Sequence, residues 1–139
     1  MKNAIVAAAA VLLSAAPAFA AGDLAIRGTD LPPLELGLGE FGFGVSQNDY
    51  ELETGKLYQL KITSTGLQEC AFISPGLFGN SFFRKVEAGG LEIKAPYFVE
   101  LEFDEGEAEL FFVPVRTGEF PWSCRGLEPR GVQGKFIVK

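Results

Sequence analysis

An alternation of apolar and polar side chains with a period of two runs along much of the chain. After a turn at residues 54–56, Tyr58, Leu60 and Ile62 fall on one face of an extended segment, and polar side chains fall on the other face after the first residue. Successive side chains of a strand point to opposite faces, whereas a helix needs a period near 3.6. The pattern therefore predicts a chain built from strands rather than helices.

A hairpin is predicted in the second half of the chain. Residues 98–103 and 108–115 alternate in the same way, and the turn residues Asp104-Glu105-Gly106 lie between them. The acidic residues from 100 to 109 lack the ligand spacing of an EF-hand loop, so they are interpreted as the solvated face of this hairpin.

Two further strands are predicted near the end of the chain, at residues 120–124 and 134–138. Phe120, Trp122 and Cys124 share one face of the first of them, as expected for core residues. Residues 82–88 favour a helical turn. Seven or eight short strands separated by Gly, Pro and Asp predict an all-β fold, a single β-sandwich.

The first twenty residues are typical of a cleaved signal peptide. Lys2 supplies the positive charge, residues 4–13 form an apolar segment, and Ala18-Phe19-Ala20 reads as a cleavage site. The apolar segment is too short to span a bilayer. We therefore expect a bacterial periplasmic protein, with N-terminal strands at residues 21–50 and a core at 51–139, together one domain.

The composition excludes several classes of function. The chain has 139 residues, no histidine and a net charge of −6. Without histidine there is no Ser-His-Asp or Cys-His catalytic apparatus and no imidazole metal site. The acidic balance argues against nucleic acid as a partner, because phosphates need a basic surface. The only methionine is Met1, and the two cysteines favour a disulfide in an oxidising compartment.

The C-terminal part of the chain resembles the end of a cupredoxin. The resemblance is carried by residues 112–114 (Phe-Val-Pro), 118–124 (Gly-Glu-Phe-Pro-Trp-Ser-Cys) and 131–138 (Gly-Val-Gln-Gly-Lys-Phe-Ile-Val). The turn at residues 54–56 (Thr-Gly-Lys) is similar to the turn before the family's second main strand. The resemblance covers residues 51–139 and implies a Greek-key β-sandwich.

The metal ligands of that family are mostly replaced here. Blue-copper members use two His, one Cys and usually an axial Met. Cys124 aligns with the cysteine ligand, but Leu127 and Val132 align with the second histidine and the methionine, and Glu69-Cys70 occupies the place of the first histidine. The resemblance therefore implies an altered site and excludes an ordinary blue-copper electron carrier.

Two interpretations of the altered site stay open. In one, Cys70 and Cys124 form a disulfide, and the protein is a structural or interaction module. In the other, Glu69, Cys70, Cys124 and Glu128 bind iron or copper, as in the periplasmic cupredoxin-like domains associated with ferrous-iron uptake, which this pattern resembles. Thiolate suits Cu(I) and carboxylate suits iron. The two interpretations also fit one site in two redox states, with the disulfide as the oxidised form and the metal-binding thiols as the reduced form.

The expected partners follow from the second interpretation. They are a metal ion and a membrane transporter or periplasmic redox protein. Oxidation of the metal during transport is the one catalytic role that this interpretation includes. Arg125 and Arg130 flank the same loop. They are interpreted as solvated charges or, in a functional role, either as a docking patch or as cations that favour the Cys124 thiolate.

Overall fold

The computed structural model describes residues 27–139. Its elements are, in chain order, β1 (Thr29–Asp30), β2 (Leu34–Leu38), β3 (Gly44–Val45), β4 (Asp49–Leu52), β5 (Tyr58–Ile73), α1 (Pro75–Gly79), β6 (Ser81–Ala88), β7 (Leu91–Ile93), β8 (Leu101–Pro114), β9 (Gly118–Cys124), a 3₁₀ turn (Glu128–Arg130) and β10 (Gln133–Val138). Within this range no helix is long and apolar enough to cross a membrane. The predicted signal peptide, residues 1–20, lies outside the described residues.

The ten strands form one mixed sheet that folds over a single core, as the all-β sandwich prediction requires. Its main path runs β4-β10-β9-β5-β8-β6-β7, and β1 and β2 also pair with β5, while β3 pairs with β2. Seven strands have four residues or more. The other three, β1, β3 and β7, are too short for an alternation to be recognised in the sequence.

Strand β5 connects the two groups of strands that make up the sandwich. Its first half lies between β2 and β8, and its last residues, Phe72 and Ile73, pair with β9. The register between β5 and β8 shifts between Thr65 and Cys70. Such an irregularity bends a strand, which lets one continuous sheet cover both sides of a core.

The predicted alternation of β5 is confirmed by burial. Tyr58, Leu60 and Ile62 are buried on one face. The core that they enter is rich in aromatic rings, and the largest fully buried side chains are Trp122, Phe72, Phe78, Phe112 and Phe136. The short helix α1, which begins at Pro75, places Phe78 in this core beside Phe72 at a ring-centroid distance of 6.2 Å.

The predicted hairpin at residues 98–115 is wrong. Strand β8 runs through Asp104-Glu105-Gly106 without turning, because β5 pairs with it on both sides of that segment: Thr65 lies opposite Glu105, and Phe72 lies opposite Leu101. Pairing with the same strand on both sides of these three residues, across the register shift between Thr65 and Cys70, outweighs their local turn preference.

The predicted helical turn at residues 82–88 is also wrong, because this segment is strand β6. Its register against β8 shifts between Phe83 and Lys85. The extra residue places Phe83 and Val86, three positions apart, both in the core. This spacing imitates a helical one in the sequence.

Candidate functional site

Cys70 and Cys124 form a disulfide at one end of the sandwich, with their Cα atoms 4.9 Å apart. Cys70 lies near the end of β5 and Cys124 is the last residue of β9, and the two strands pair there, with Phe72 opposite Cys124. The alternation of each strand turns its cysteine inward, so both are almost fully buried. The first interpretation of the cysteine pair, a disulfide, is confirmed.

The loop after β9 closes the core over the disulfide with apolar side chains. The backbone N–H of Leu127 donates to the carbonyl of Cys124 at 2.9 Å, and the N–H of Cys124 donates to the carbonyl of Val132 at 3.1 Å. Val132 is buried and Leu127 is half-buried against the core. The two positions that align with lost metal ligands therefore serve here as packing.

Glu69 precedes Cys70 on β5 and is exposed, whereas Cys70 is buried. Its carboxyl hydrogen-bonds with that of Glu102, which lies on the neighbouring strand β8 opposite Ala71. This contact raises the pKa of Glu102, because the protonated form shares its proton with Glu69 and the charged form meets a second negative charge. Glu69 is thus engaged with another carboxyl group on the outer face of the sheet.

Glu128 begins the 3₁₀ turn, and its carboxylate is held by the side chain of Ser123 in strand β9. Its Oε1 accepts a hydrogen bond from the Ser123 hydroxyl at 2.9 Å, and Ser123 precedes the inward-facing Cys124. A hydrogen bond from its own backbone N–H, together with the one from Ser123, lowers the pKa of Glu128. The carboxylate therefore stays ionised and held beside Ser123.

The structure brings together two of the four predicted metal ligands, Cys70 and Cys124, and does not gather Glu69 and Glu128 around them. In residues 27–139 no group of three or more His, Cys, Asp or Glu side chains is arranged to hold a metal ion. Metal binding by cysteine needs thiolates, and the two sulfurs are bonded to each other. The donors in this oxidised form do not fit a copper or iron ion, and the four-ligand set stays a prediction for the reduced protein.

The two arginines of the loop have partners of their own. The Arg125 guanidinium forms an ion pair with Glu100, and the Arg130 guanidinium lies over the Phe43 ring at 5.1 Å from its centroid. Glu100, Glu102, Ser123 and Phe43 are partners that the sequence does not identify. Glu102 meets Glu69 through the register of β8 against β5, and Ser123 meets Glu128 across the turn after β9. Glu100 and Phe43 are brought to the two arginines by the tertiary fold.

The fold is shared with copper proteins of known structure. A multicopper oxidase from Campylobacter jejuni superposes with a TM-score of 0.55 and 14% identity, over 82% of this chain and 31% of its own. A copper nitrite reductase from Nitrosomonas europaea gives 0.56 and 7%, over 81% and 49%. Auracyanin B gives 0.51 and 13%, over 82% of this chain and 91% of its own.

These likenesses establish the cupredoxin fold that the C-terminal motif predicts. The chain spans less than half the length of the multicopper oxidases that it matches. No protein-family model and no curated protein matches the sequence.

Proposed function

We propose that this cupredoxin-fold chain is a periplasmic binding module in which the Cys70–Cys124 disulfide takes the place of a metal centre. The observation that carries the proposal is the disulfide itself, which joins the residue aligned with the family's cysteine ligand to a residue beside the place of its first histidine. The periplasmic location is supported by the signal peptide predicted at residues 1–20 and by the oxidising chemistry that a disulfide needs.

Burial supports a structural role for the disulfide. Cys70 is 2% exposed and Cys124 is 1% exposed. Thiol–disulfide exchange requires a thiolate to reach a sulfur, so a bond in this position is protected from small thiols and from redox proteins alike. The function of the domain is therefore assigned to its outer surface rather than to electron transfer at this end.

A metal titration of the oxidised protein tests the proposal. We expect no stoichiometric binding of Cu(I), Cu(II) or Fe(II), and thiol counts under denaturing conditions that rise by two only after reductant is added. Tight binding of a single ion by the oxidised protein, or free thiols before reduction, would contradict it.

We propose a second candidate function for the reduced protein, which is iron or copper handling. The observation that favours it is the 4.9 Å separation of the two cysteine Cα atoms, because reduction would leave two thiols within reach of one ion. Glu69 and Glu128 are the proposed carboxylate ligands. Ferrous-iron uptake or electron transfer, with a membrane transporter or a periplasmic redox protein as partner, would be the corresponding role.

The second candidate has its own test. Reduced wild-type protein is titrated with Cu(I) and Fe(II) beside the variants Cys124→Ser, Glu69→Gln and Glu128→Gln. Loss of binding in Cys124→Ser with weakening in Glu69→Gln would support it, and equal binding by all variants or none by the wild type would refute it. The copper-loaded protein should lack the intense blue band of a His₂Cys site, because the chain has no histidine.

A further inference from the structure

The first half of β8 has an edge that no described strand covers. Strand β6 pairs with β8 only over Ala108 to Pro114, and its last residue in the ladder, Ala88, lies opposite Ala108. Beyond that point β5 continues to cover the other edge of β8 as far as Leu101. Within residues 27–139, nothing pairs with residues 101–107 on the side of β6. Their outward-pointing backbone groups are open to a further strand.

A cleft of about 390 Å³ lies against this edge. Residues 101–105, which include the buried Phe103 and the exposed Glu102, all line it, as expected for a cleft beside the edge of a strand rather than on one face. Its apolar lining comes from three strands and consists of Val86, Ala88, Ile93, Leu101, Phe103 and Ala108.

The cleft is acidic at its rim. The charged residues that line it are Glu102, Asp104, Glu105 and Glu107. Two cations balance part of this charge: Lys61 forms an exposed ion pair with Glu107 at 2.6 Å, and Arg125 lies close enough to Glu102 to oppose the rise of its pKa. The raised pKa of Glu102, caused by its contact with Glu69, shows how closely negative groups are crowded beside the strand.

A second acidic cleft adjoins the first around the end of β6. It measures about 350 Å³, shares Ala88, Glu107 and Ala108 with its neighbour, and adds Glu87, Glu92 and Glu109. Two exposed apolar side chains line these clefts: Leu91, which is 67% exposed, lines the second cleft, and Ile93, which is 41% exposed, lines the first.

We propose that the open edge of β8 binds an extended basic segment of a partner protein as an added strand. This inference deepens the proposed binding function by naming its surface and its ligand. The seven residues 101–107 offer about 20 Å of strand edge, enough for a peptide of six or seven residues. Backbone hydrogen bonds supply affinity in such a complex, and the side chains on alternate positions supply specificity.

Charge selects the partner. Lysine or arginine side chains on one face of the added strand would meet the carboxylates of the rim, and apolar side chains on the other face would cover Ile93 and Leu101. A second copy of this chain fits poorly, because each copy has a net charge of −6 and would bring an equally acidic edge to the contact.

Binding of designed peptides to the oxidised full chain tests the proposal. The probe is a fluorescein-labelled heptapeptide that alternates lysine and valine, and fluorescence anisotropy is measured at low and high salt. Two control peptides accompany it: one replaces lysine by glutamate, and the other is N-methylated at every peptide nitrogen, so that it keeps its charge but cannot donate strand hydrogen bonds. We expect the lysine–valine peptide to bind, the glutamate peptide not to bind, and the N-methylated peptide to bind at least about tenfold more weakly.

Protein variants locate the site. Asp104→Asn/Glu107→Gln removes two charges from the rim, and we expect it to weaken binding about tenfold. The matched control, Asp49→Asn/Glu53→Gln, removes two charges next to the opposite edge strand β4 and should leave binding unchanged. Bound peptide should also slow hydrogen exchange of the amides in residues 101–107.

Three results of the binding measurements would overturn the proposal. They are no binding of the lysine–valine peptide, equal binding of the N-methylated peptide, and equal weakening by the control variant. A dimer in solution with protected amides at residues 101–107 would overturn it too, because the edge would then bind a second copy. None of these outcomes depends on the thiol count or the metal titration, so a failure here is distinguishable from a failure of the proposed disulfide-for-metal function.

Discussion

Gly134 is the residue whose identity the packing constrains most tightly. A methyl group at this position would overlap the backbone carbonyl oxygen of Asn48. That oxygen cannot move freely, because it accepts hydrogen bonds from Trp122 Nε1 at 2.8 Å and from the Lys135 N–H at 3.0 Å. Gly134, the second glycine of the segment at residues 131–138, is thus required because the backbone of Asn48 approaches it too closely for a side chain.

Gly134→Ala should therefore lower the free energy of unfolding by about 3 kcal/mol. Gly79→Ala is the matched control, because its added methyl would meet nothing within 4 Å. Chemical denaturation of both variants measures the difference. Equal free energies of unfolding for the two variants would show that the Asn48 carbonyl moves aside without loss of stability.

The Glu69–Glu102 pair makes a pH-dependent contribution to stability. The pKa of Glu102 is raised in the folded state, so the favourable shared hydrogen bond is present below its unfolded pKa and is lost as the pH rises through the folded value. Glu102→Gln should then raise the melting temperature at pH 7.5 and have no such effect at pH 4. Glu105→Gln, which neutralises an exposed neighbour, serves as the control, and a gain of the same size in both variants would contradict the pairing.

At the residue scale, the sequence predicted the cysteine pair better than the carboxylates around it. The C-terminal motif predicts the role of Cys124, Cys70 occupies the place of the first histidine, and the oxidising compartment predicts that the two cysteines pair. The period of two already implies that Glu69 faces away from its neighbour Cys70. Its contact with Glu102 depends on the register of β5 against β8, which the bulge between Thr65 and Cys70 sets.

In strand β8 the turn preference of the local sequence and the conformation imposed by tertiary pairing disagree most clearly. Asp104-Glu105-Gly106 has turn chemistry, yet Glu105 and Gly106 lie in register with Thr65 and Ser64 of β5. Inserting two glycines between Glu105 and Gly106 should slide half of the ladder out of register and destabilise the protein by about 2 kcal/mol. The same insertion between Gly89 and Gly90 lengthens the turn that joins β6 and β7 and should be tolerated. Equal melting temperatures for the two insertions would favour a turn in β8.

The wrong predictions of a hairpin at residues 98–115 and of a helical turn at residues 82–88 have one physical origin. Irregularities in a strand interrupt the alternation of buried and exposed side chains by which a strand is recognised in the sequence. The bulge in β6 brings Phe83 and Val86 to the same side at a helical spacing, and four consecutive exposed residues, 104–107, interrupt the alternation of β8. Strands without such irregularities, such as β9 with Phe120 and Trp122 turned inward, follow the simple pattern and were predicted well.

At the scale of the whole molecule, one covalent bond connects segments that are distant in sequence. The disulfide closes a loop between residues 54 positions apart and joins β5, which contacts both groups of strands, to β9. The chain-entropy model assigns about 4 kcal/mol of stability to a loop of this length. The bond thereby stabilises the end of the sandwich that carries Cys124 and the loop after β9.

Reduction should accordingly lower the free energy of unfolding by about 4 kcal/mol, and Cys70→Ala/Cys124→Ala should be at least as unstable as the reduced wild type. Adding Cu(I) or Fe(II) then distinguishes the two proposed functions. A metal that binds the folded reduced protein raises its stability with metal concentration. Such a gain in the reduced wild type, but not in the alanine variant, would establish a metal site at the cysteines. An unchanged melting temperature in both proteins would show that the reduced cysteines bind no metal. The disulfide in place of a metal centre would then be the supported function.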